Sequence, residues 1–273
     1  MANDDKPKEK HVDIVGLIPA AGTANRLGPL PCSKELLPVG FHKDRNGKKM
    51  QPKAVGHYLL ERMHKANVSK VYIILRKGKW DIPTYFGNGK MLDMSIAYLL
   101  MDLPFGVPFT IDQAYPFIKD ATVVFGFPDI LFEPEDAFVH LLTRQSATEA
   151  DVVLGVFPAI DPQKMDMVDW DEEGHVRGIQ IKPSQTNLRY AWIIAVWTPV
   201  FTEFMHQCVV EELALDLRTK GEGTIGPKQE MFVGDVVQKA LDDKLGVECV
   251  CFSTGTYLDI GTPGDLQKAL RFE

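Results

Sequence analysis

Short, continuous apolar runs alternate with segments of helical period over the first half of the chain. Residues 12–18 form the first run and end at Pro19; apolar on both faces, such a run reads as a buried parallel strand. A loop of small residues follows, then a stretch rich in Pro and Gly up to Gly40. Residues 54–65 carry apolar positions at helical spacing, and 68–75 form a second buried strand. The alternation continues with a strand at 95–100, a short helix near 111–118, a strand at Thr122–Phe125, a helix near 134–144 and a strand at 151–156. Strand, crossover, strand is the pattern of a doubly wound sheet.

After Pro158 the pattern changes. Met167–Trp170, a turn at residues 171–174 and a run at 176–181 read as a β-hairpin. A strand at Tyr190–Trp197, helices at 199–217 and 229–241, a strand at 247–252 and a closing strand-like run at 257–261 with a short helix from Pro263 complete the chain. The expected fold is therefore α/β: a doubly wound, mostly parallel, Rossmann-like sheet with a small β-rich annex, spanning residues 12–273. Residues 1–11 are charged, lack the apolar core of a signal peptide, and read as a disordered tail. Residues 42–49 read as a polar, mostly basic insertion turning at Asn46-Gly47.

Composition narrows the function. An apolar content of 45% in 273 residues is enough to bury a substantial core. A net charge of -7 argues against nucleic acid as a partner, while leaving room for a local basic site that attracts small phosphorylated substrates. No apolar run approaches bilayer length, so no membrane partner is expected. Cys32, Cys208, Cys249 and Cys251 follow neither a zinc nor a disulfide pattern, which points to a reducing, cytoplasmic setting.

The most informative stretch is residues 17–39, LIPAAGTANRLGPLPCSKELLPV. A buried strand delivers Ala20, Ala21, Gly22 and Thr23 at its carboxyl end, where backbone N–H groups approach an anion without obstruction from bulky side chains. Arg26 and Lys34 follow on the same loop, and two cations beside backbone donors suit a triphosphate whose leaving pyrophosphate gains charge. Asp129 lies just past the strand Thr122–Phe125, where ligands bind in an open α/β sheet, and Asp259 ends another strand-like run. Magnesium takes one or two carboxylates with phosphate oxygens and water, so this pair suits Mg2+; each aspartate alone also fits a helix cap or a turn.

These motifs resemble the nucleotidyltransferases that activate sugar 1-phosphates, the thymidylyl- and uridylyltransferases acting on glucose 1-phosphate. Their glycine-rich loop with arginine corresponds to residues 21–26, their lysine followed by Leu-Leu-Pro to residues 34–39, and their closing Asp-x-Gly-Thr to residues 259–262. The resemblance implies that Arg26 and Lys34 bind the triphosphate and stabilise its transition state. It implies metal binding by Asp129 and Asp259, and sugar-phosphate binding by Lys182, the lysine before Pro183. The base and sugar are read in the family by a loop that here holds Leu103 and Gly106, and Asp235 matches a position near the sugar, a place equally suited to a helix N-terminus. The chain departs from the family at Ala24 and Asn25, at Leu103 in place of a glutamine, at Ile181 in place of a glutamate, and at Asp166 in place of a glycine. Seven residues separate Arg26 from Lys34, fewer than in the sugar branch.

The expected activity is attack by a sugar 1-phosphate on the α-phosphorus of a nucleoside triphosphate, giving a nucleotide sugar and pyrophosphate. The alternatives are a nucleotidyltransferase for a polyol, cyclitol or amino-alcohol phosphate, and a catalytically silent regulator that binds nucleotide sugars. Relatives of this kind form dimers or tetramers, which leaves a homo-oligomer open.

Overall fold

The structure, a computed structural model, describes residues 12–43, 47–101, 105–220 and 230–271. The tail at 1–11, Asn46 of the expected turn, and Leu103 lie outside the described residues. The first strand, β1 (Ile14–Pro19), runs into the small-residue loop, which holds two short 3-10 turns at Asn25–Leu27 and Lys34–Leu36. A hairpin of β2 (Pro38–Lys43) and β3 (Met50–Ala54) leads into α1 (Val55–Lys65), β4 (Lys70–Arg76), α2 (Asp81–Phe86) and β5 (Ser95–Met101). Next come α3 (Val107–Asp112), α4 (Tyr115–Ile118), β6 (Thr122–Phe125), β7 (Ile130–Glu133), α5 (Ala137–Thr148) and β8 (Val152–Pro158). The second half supplies β9 (Met167–Trp170), β10 (Val176–Gln180), β11 (Tyr190–Trp197), α6 (Pro199–Lys220), α7 (Val233–Asp242), β12 (Val247–Cys251), β13 (Thr256–Asp259) and α8 (Pro263–Ala269).

The main sheet has strand order β10-β9-β11-β6-β1-β4-β5, with β8 paired to β11 and β12 to β8. β5, β4, β1 and β6 are mutually parallel, in keeping with the apolar runs of β1, β4 and β6, and β11 enters antiparallel beside β6. The β9–β10 hairpin joins this same sheet through the Ala191–Met167 pair. The annex foreseen in the sequence is thus an extension of the main sheet.

Both faces of β1 are covered. Val15 and Leu17 pack into a cluster with Phe125, Trp197 and Phe201, while Ile18 packs with Leu59, Met63 and Val71 on the other side. Gly16 makes the second contact possible: a Cβ there would stand 2.9 Å from both Met63 Sδ and Val71 Cγ2. α1 therefore lies tightly on the sheet, and the carboxyl end of β1 has little freedom to move.

Three features were not foreseen. The basic insertion is flanked by a true hairpin, β2–β3, in which Val39 is buried but Phe41 and Met50 face outward, so its apolar signal is weak. The helix expected near 111–118 is two helices, and the first begins earlier, at Val107. The third feature matters most. β13 pairs antiparallel with the short strand β7, with Asp259 opposite Ile130, and Ile260 N–H donates to Asp129 C=O at 3.0 Å. Leu131, Leu258 and Ile260 bury the back of this ribbon against Leu37 and Val55.

Leu131 is fully buried in that ribbon. Leu131→Ala is expected to cost about 2–5 kcal/mol, from lost transfer energy plus the cavity left behind. Urea unfolding checks this: the midpoint should fall at an unchanged slope.

Candidate active site

The carboxyl ends of β1, β6 and β13 open onto one cleft of about 640 Å³, bordered by Arg26, Lys34, Asp129, Asp259, Lys182 and Trp192 among others. Residues separated by as much as 233 positions in sequence thus face a common space.

The loop after β1 turns sharply. Ala20 and Ala21 are buried, and Ala20 N–H is committed to Ile74 C=O at 2.8 Å, so Ala20 belongs to the sheet and its N–H has no capacity left for a ligand. The exposed part of the loop begins at Gly22 and Thr23, which border the cleft. Ala24 adopts φ 56° and ψ 26°, left-handed backbone that costs an alanine about 1–2 kcal/mol. That conformation turns the chain into the 3-10 turn Asn25–Leu27, which carries Arg26 to the cleft. Gly261 makes room opposite, since a Cβ there would lie 3.1 Å from Arg26 Nη2.

The turn Lys34–Leu36 is held by three polar links. Ser33 donates through N and Oγ to the two oxygens of Asp81, at 2.6 and 2.7 Å. Glu35 and Lys79 form a buried ion pair at 2.6 Å. Lys34 itself pairs with Asp129. Burial works to lower the Lys34 pKa, but the charge and hydrogen bond of Asp129, with Glu35 and Asp259 behind it, outweigh burial and hold it above its ordinary value. Lys34 is therefore a fixed cation at neutral pH.

Asp259 is pushed up to about 6, first by burial and then by the charge of Asp129, against the opposing pull of Lys34 and Arg26. A carboxylate whose ionisation is opposed by burial and by a second carboxylate, the two brought together by the β7–β13 ladder, makes a site with an affinity for a cation.

At the other end of the cleft stand Asp166, Lys182, Trp192 and Phe232. Lys182 adopts φ 40°, and its Nζ lies 3.5 Å from the centre of the Phe232 ring. Asp166 is pushed up to about 6, chiefly by burial with a contribution from Asp235, while Lys182 and the Trp192 indole oppose the rise. Its Oδ2 approaches α7 at Gly234, where a Cβ would stand 2.6 Å away. Asp235 borders no part of the cleft: its Oδ2 accepts from Phe232 N–H at 2.8 Å, closing the first turn of α7. Of the two places its sequence position suited, this is the helix terminus. A recess of about 350 Å³ continues inward past Ala21, Gly22, Gly106 and Phe127. Gly106, at φ 120°, touches Met231 so closely that a Cβ would lie 2.3 Å from its carbonyl oxygen, which only glycine permits.

Several residues in and behind this site escaped the sequence reading. Trp192 sits within an apolar strand and reads as core there. Phe232 and the Glu35–Lys79 pair follow no motif. Asp166 left a trace, as a carboxylate where the resembling family has glycine.

Comparison with known proteins decides the class. Residues 15–273 match the nucleotidyl transferase family. The chain belongs to that family. Curated members are distant: a glucose-1-phosphate thymidylyltransferase of Neisseria gonorrhoeae is 23% identical over 94% of this chain and 81% of its own length. One from an Actinoplanes strain is 24% identical over 94% of this chain and 77% of its own. Among solved structures, one described as a glucose-1-phosphate thymidylyltransferase of Bacillus anthracis with sucrose superposes with a TM-score of 0.77 at 19% identity, covering 94% of both chains. A UDP-glucose pyrophosphorylase of Acinetobacter baumannii superposes at 0.72 with 15% identity, covering 95% of this chain and 92% of that one. At these identities the structures establish the family's Rossmann-like α/β fold. Among the described residues no helix is long and apolar enough to cross a membrane.

The electrostatics of this family member make a stability prediction with a definite sign. The native pKa of Asp259 lies above its unfolded value, so the stability it contributes is complete below about pH 4 and is lost as pH rises through about 6. Asp259→Asn should therefore stabilise the metal-free protein by on the order of 2 kcal/mol near pH 7.5, with the gain vanishing near pH 4. Thermal melts of both proteins across that range check it.

Proposed function

We propose that this nucleotidyl transferase joins a sugar 1-phosphate to a nucleoside triphosphate, with magnesium, and releases pyrophosphate. The observation that carries this reading is the convergence of Asp129 and Asp259 on one cleft with Lys34, Arg26 and Lys182. The printed names of the relatives, glucose-1-phosphate thymidylyltransferase and UDP-glucose pyrophosphorylase, support the same reaction for this chain.

The residues divide the work by position. Gly22 and Thr23 offer loop backbone to the phosphates, and Arg26 and Lys34 balance the charge that builds on the departing β- and γ-phosphates. Gly106 and the recess beside it receive the nucleoside, with the loop of Leu103 the reader of the base. Lys182 leaves the face of Phe232 to hold the acceptor phosphate, which lowers the repulsion between two anions that must come into contact. A phosphate oxygen of the acceptor is already ionised at neutral pH, so no side chain has to remove a proton. Asp235 acts from a distance, by fixing the start of α7 and hence Phe232.

Asp129 and Asp259 suit a divalent cation because burial and the charge of Asp129 oppose ionisation of Asp259, and a cation relieves that opposition. Two carboxylates with room for phosphate oxygens and water match magnesium's preference for few protein ligands. When bound, the ion supplies charge neutralisation at the phosphate oxygens. The four cysteines are free thiols, which supports a cytoplasmic, reducing setting.

Pyrophosphate release, screened with each common nucleoside triphosphate against a panel of sugar 1-phosphates, tests the proposal. Asp129→Asn and Asp259→Asn are each expected to lower release by about 100-fold or more, in line with loss of charge stabilisation at a reacting centre, while keeping a native circular dichroism spectrum. Normal turnover in both variants defeats the metal assignment. For Lys182→Ala the expected result is a KM for the sugar phosphate raised about tenfold or more with the KM for nucleotide nearly unchanged. A rise in both together argues for a structural role of Lys182 instead.

A further inference from the structure

A second cavity, also of about 640 Å³, lies on the outer side of the phosphate loop, between residues 28–34 and the turn that joins β4 to α2. Gly22, Thr23, Ala24, Asn25 and Lys34 border both this chamber and the catalytic cleft, so the loop is a wall shared by the two. Phosphates that run over the loop from the paired aspartates therefore end in the chamber.

The charges around the chamber are unequal in what they have left to offer. Lys34 is tied to Asp129, and Lys79 to Glu35 in the buried pair. Asp81, the acidic group on its wall, has both oxygens occupied by Ser33. Burial, Asp81 and Glu35 all push the Cys32 thiol up, which keeps it uncharged. Arg76, the last residue of β4, differs. Its guanidinium makes two long hydrogen bonds, Nε to Gly22 C=O at 3.5 Å and Nη1 to Lys77 C=O at 3.4 Å. Most of its five N–H donors remain for an anion, and the contact with Gly22 holds it against the loop.

We propose that Arg76 grips the β,γ-diphosphate of the nucleotide in this outer chamber and seats the pyrophosphate as it leaves. The inference rests on the nucleotidyl transfer proposed above. In that step an oxygen of the acceptor phosphate forms a bond to the α-phosphorus. The bond from the α-phosphorus to its bridging oxygen breaks, and the electron pair leaves on that oxygen as part of pyrophosphate. Negative charge accumulates on the leaving group, where a planar guanidinium can donate two parallel hydrogen bonds. Arg76 thereby adds a third cation to Arg26 and Lys34, one that belongs to the product.

Arg76→Gln tests this against Arg177→Gln, an exposed arginine on β10 that faces Asp171. The Arg76 variant should raise KM for the nucleoside triphosphate, and KM for pyrophosphate in the reverse reaction, by about tenfold or more, leaving KM for the acceptor within about twofold. Calorimetric titration of inorganic pyrophosphate into the proteins should show the same loss in affinity for Arg76→Gln and none for Arg177→Gln. Unchanged pyrophosphate affinity in Arg76→Gln overturns the proposal, as does an equal rise in acceptor KM, which marks a general disturbance of the cleft. Pyrophosphate that binds through Arg76 in a protein without turnover upholds the chamber and defeats the nucleotidyl transfer. Turnover with an indifferent Arg76 does the reverse.

Discussion

A ribbon of two four-residue strands holds the site together. β7 and β13 come from distant parts of the chain, and their antiparallel register sets Asp259 opposite Ile130, one residue past Asp129. A slip of one residue in that ladder would send the Asp259 side chain to the other face. The register is protected from behind by Leu131, Leu258 and Ile260, and from within by the Ile260–Asp129 backbone hydrogen bond. Ribbons this short are marginal alone, so the packing of α1 and α8 against it is part of what keeps two carboxylates in company.

That company is electrostatically unfavourable in the absence of a ligand. Asp259 resists ionisation until about pH 6, and Lys34 offsets part of the repulsion by pairing with Asp129. A second charge pair, Glu35 with Lys79, sits directly behind Lys34 and is buried. Burial pushes Glu35 up and Lys79 down, each toward its uncharged form, so the pair is a poor source of stability. Its physical benefit is positional: it fixes the turn that presents Lys34. Left-handed Ala24 repeats the pattern, since backbone strain there turns the loop so that Arg26 borders the same cleft as Asp129 and Asp259. Stability is given up at several points around the same part of the cleft.

The sequence was most legible where chemistry and topology coincide. The strand at β1, its small-residue turn and the basic residues after it carry their own signal, because an unbroken apolar run ending in Ala-Ala-Gly has few structural interpretations. The parallel part of the sheet was readable for the same reason. The β7–β13 ribbon was not, because β7 is four residues long and its partner arrives only with the end of the chain; Asp129 and Asp259 could be named separately, but their meeting could not be deduced from spacing. Ala20 looked like part of the anion-binding turn, and only the hydrogen bond to Ile74 shows that the sheet extends one residue further. Trp192 and Asp166 illustrate a different limit. A tryptophan inside an apolar strand and a carboxylate before one look alike whether they face core or cleft.

The departures from the family pattern fall on both sides of the cleft, with Ala24 and Asn25 in the phosphate loop and Asp166 at the other end. Every nucleoside triphosphate presents the same α-phosphorus and the same diphosphate, so the roles proposed for Arg26, Lys34, Asp129 and Asp259 do not depend on the nucleotide. In the proposed reaction the acceptor is a partner whose shape is free to vary, and the end of the cleft assigned to it is lined by Asp166 and Trp192. Asp166 brings a buried carboxylate, and Lys182 offsets it from its place on Phe232. In the proposed reaction, moving Lys182 toward the acceptor phosphate would uncover that carboxylate's charge, so the two residues would act on the acceptor as one coupled pair. A ligand with a donor group beside its phosphate gains from both partners, whereas one without it leaves Asp166 poorly compensated. On the proposed reading, the acceptor would be selected by charge balance as well as by shape.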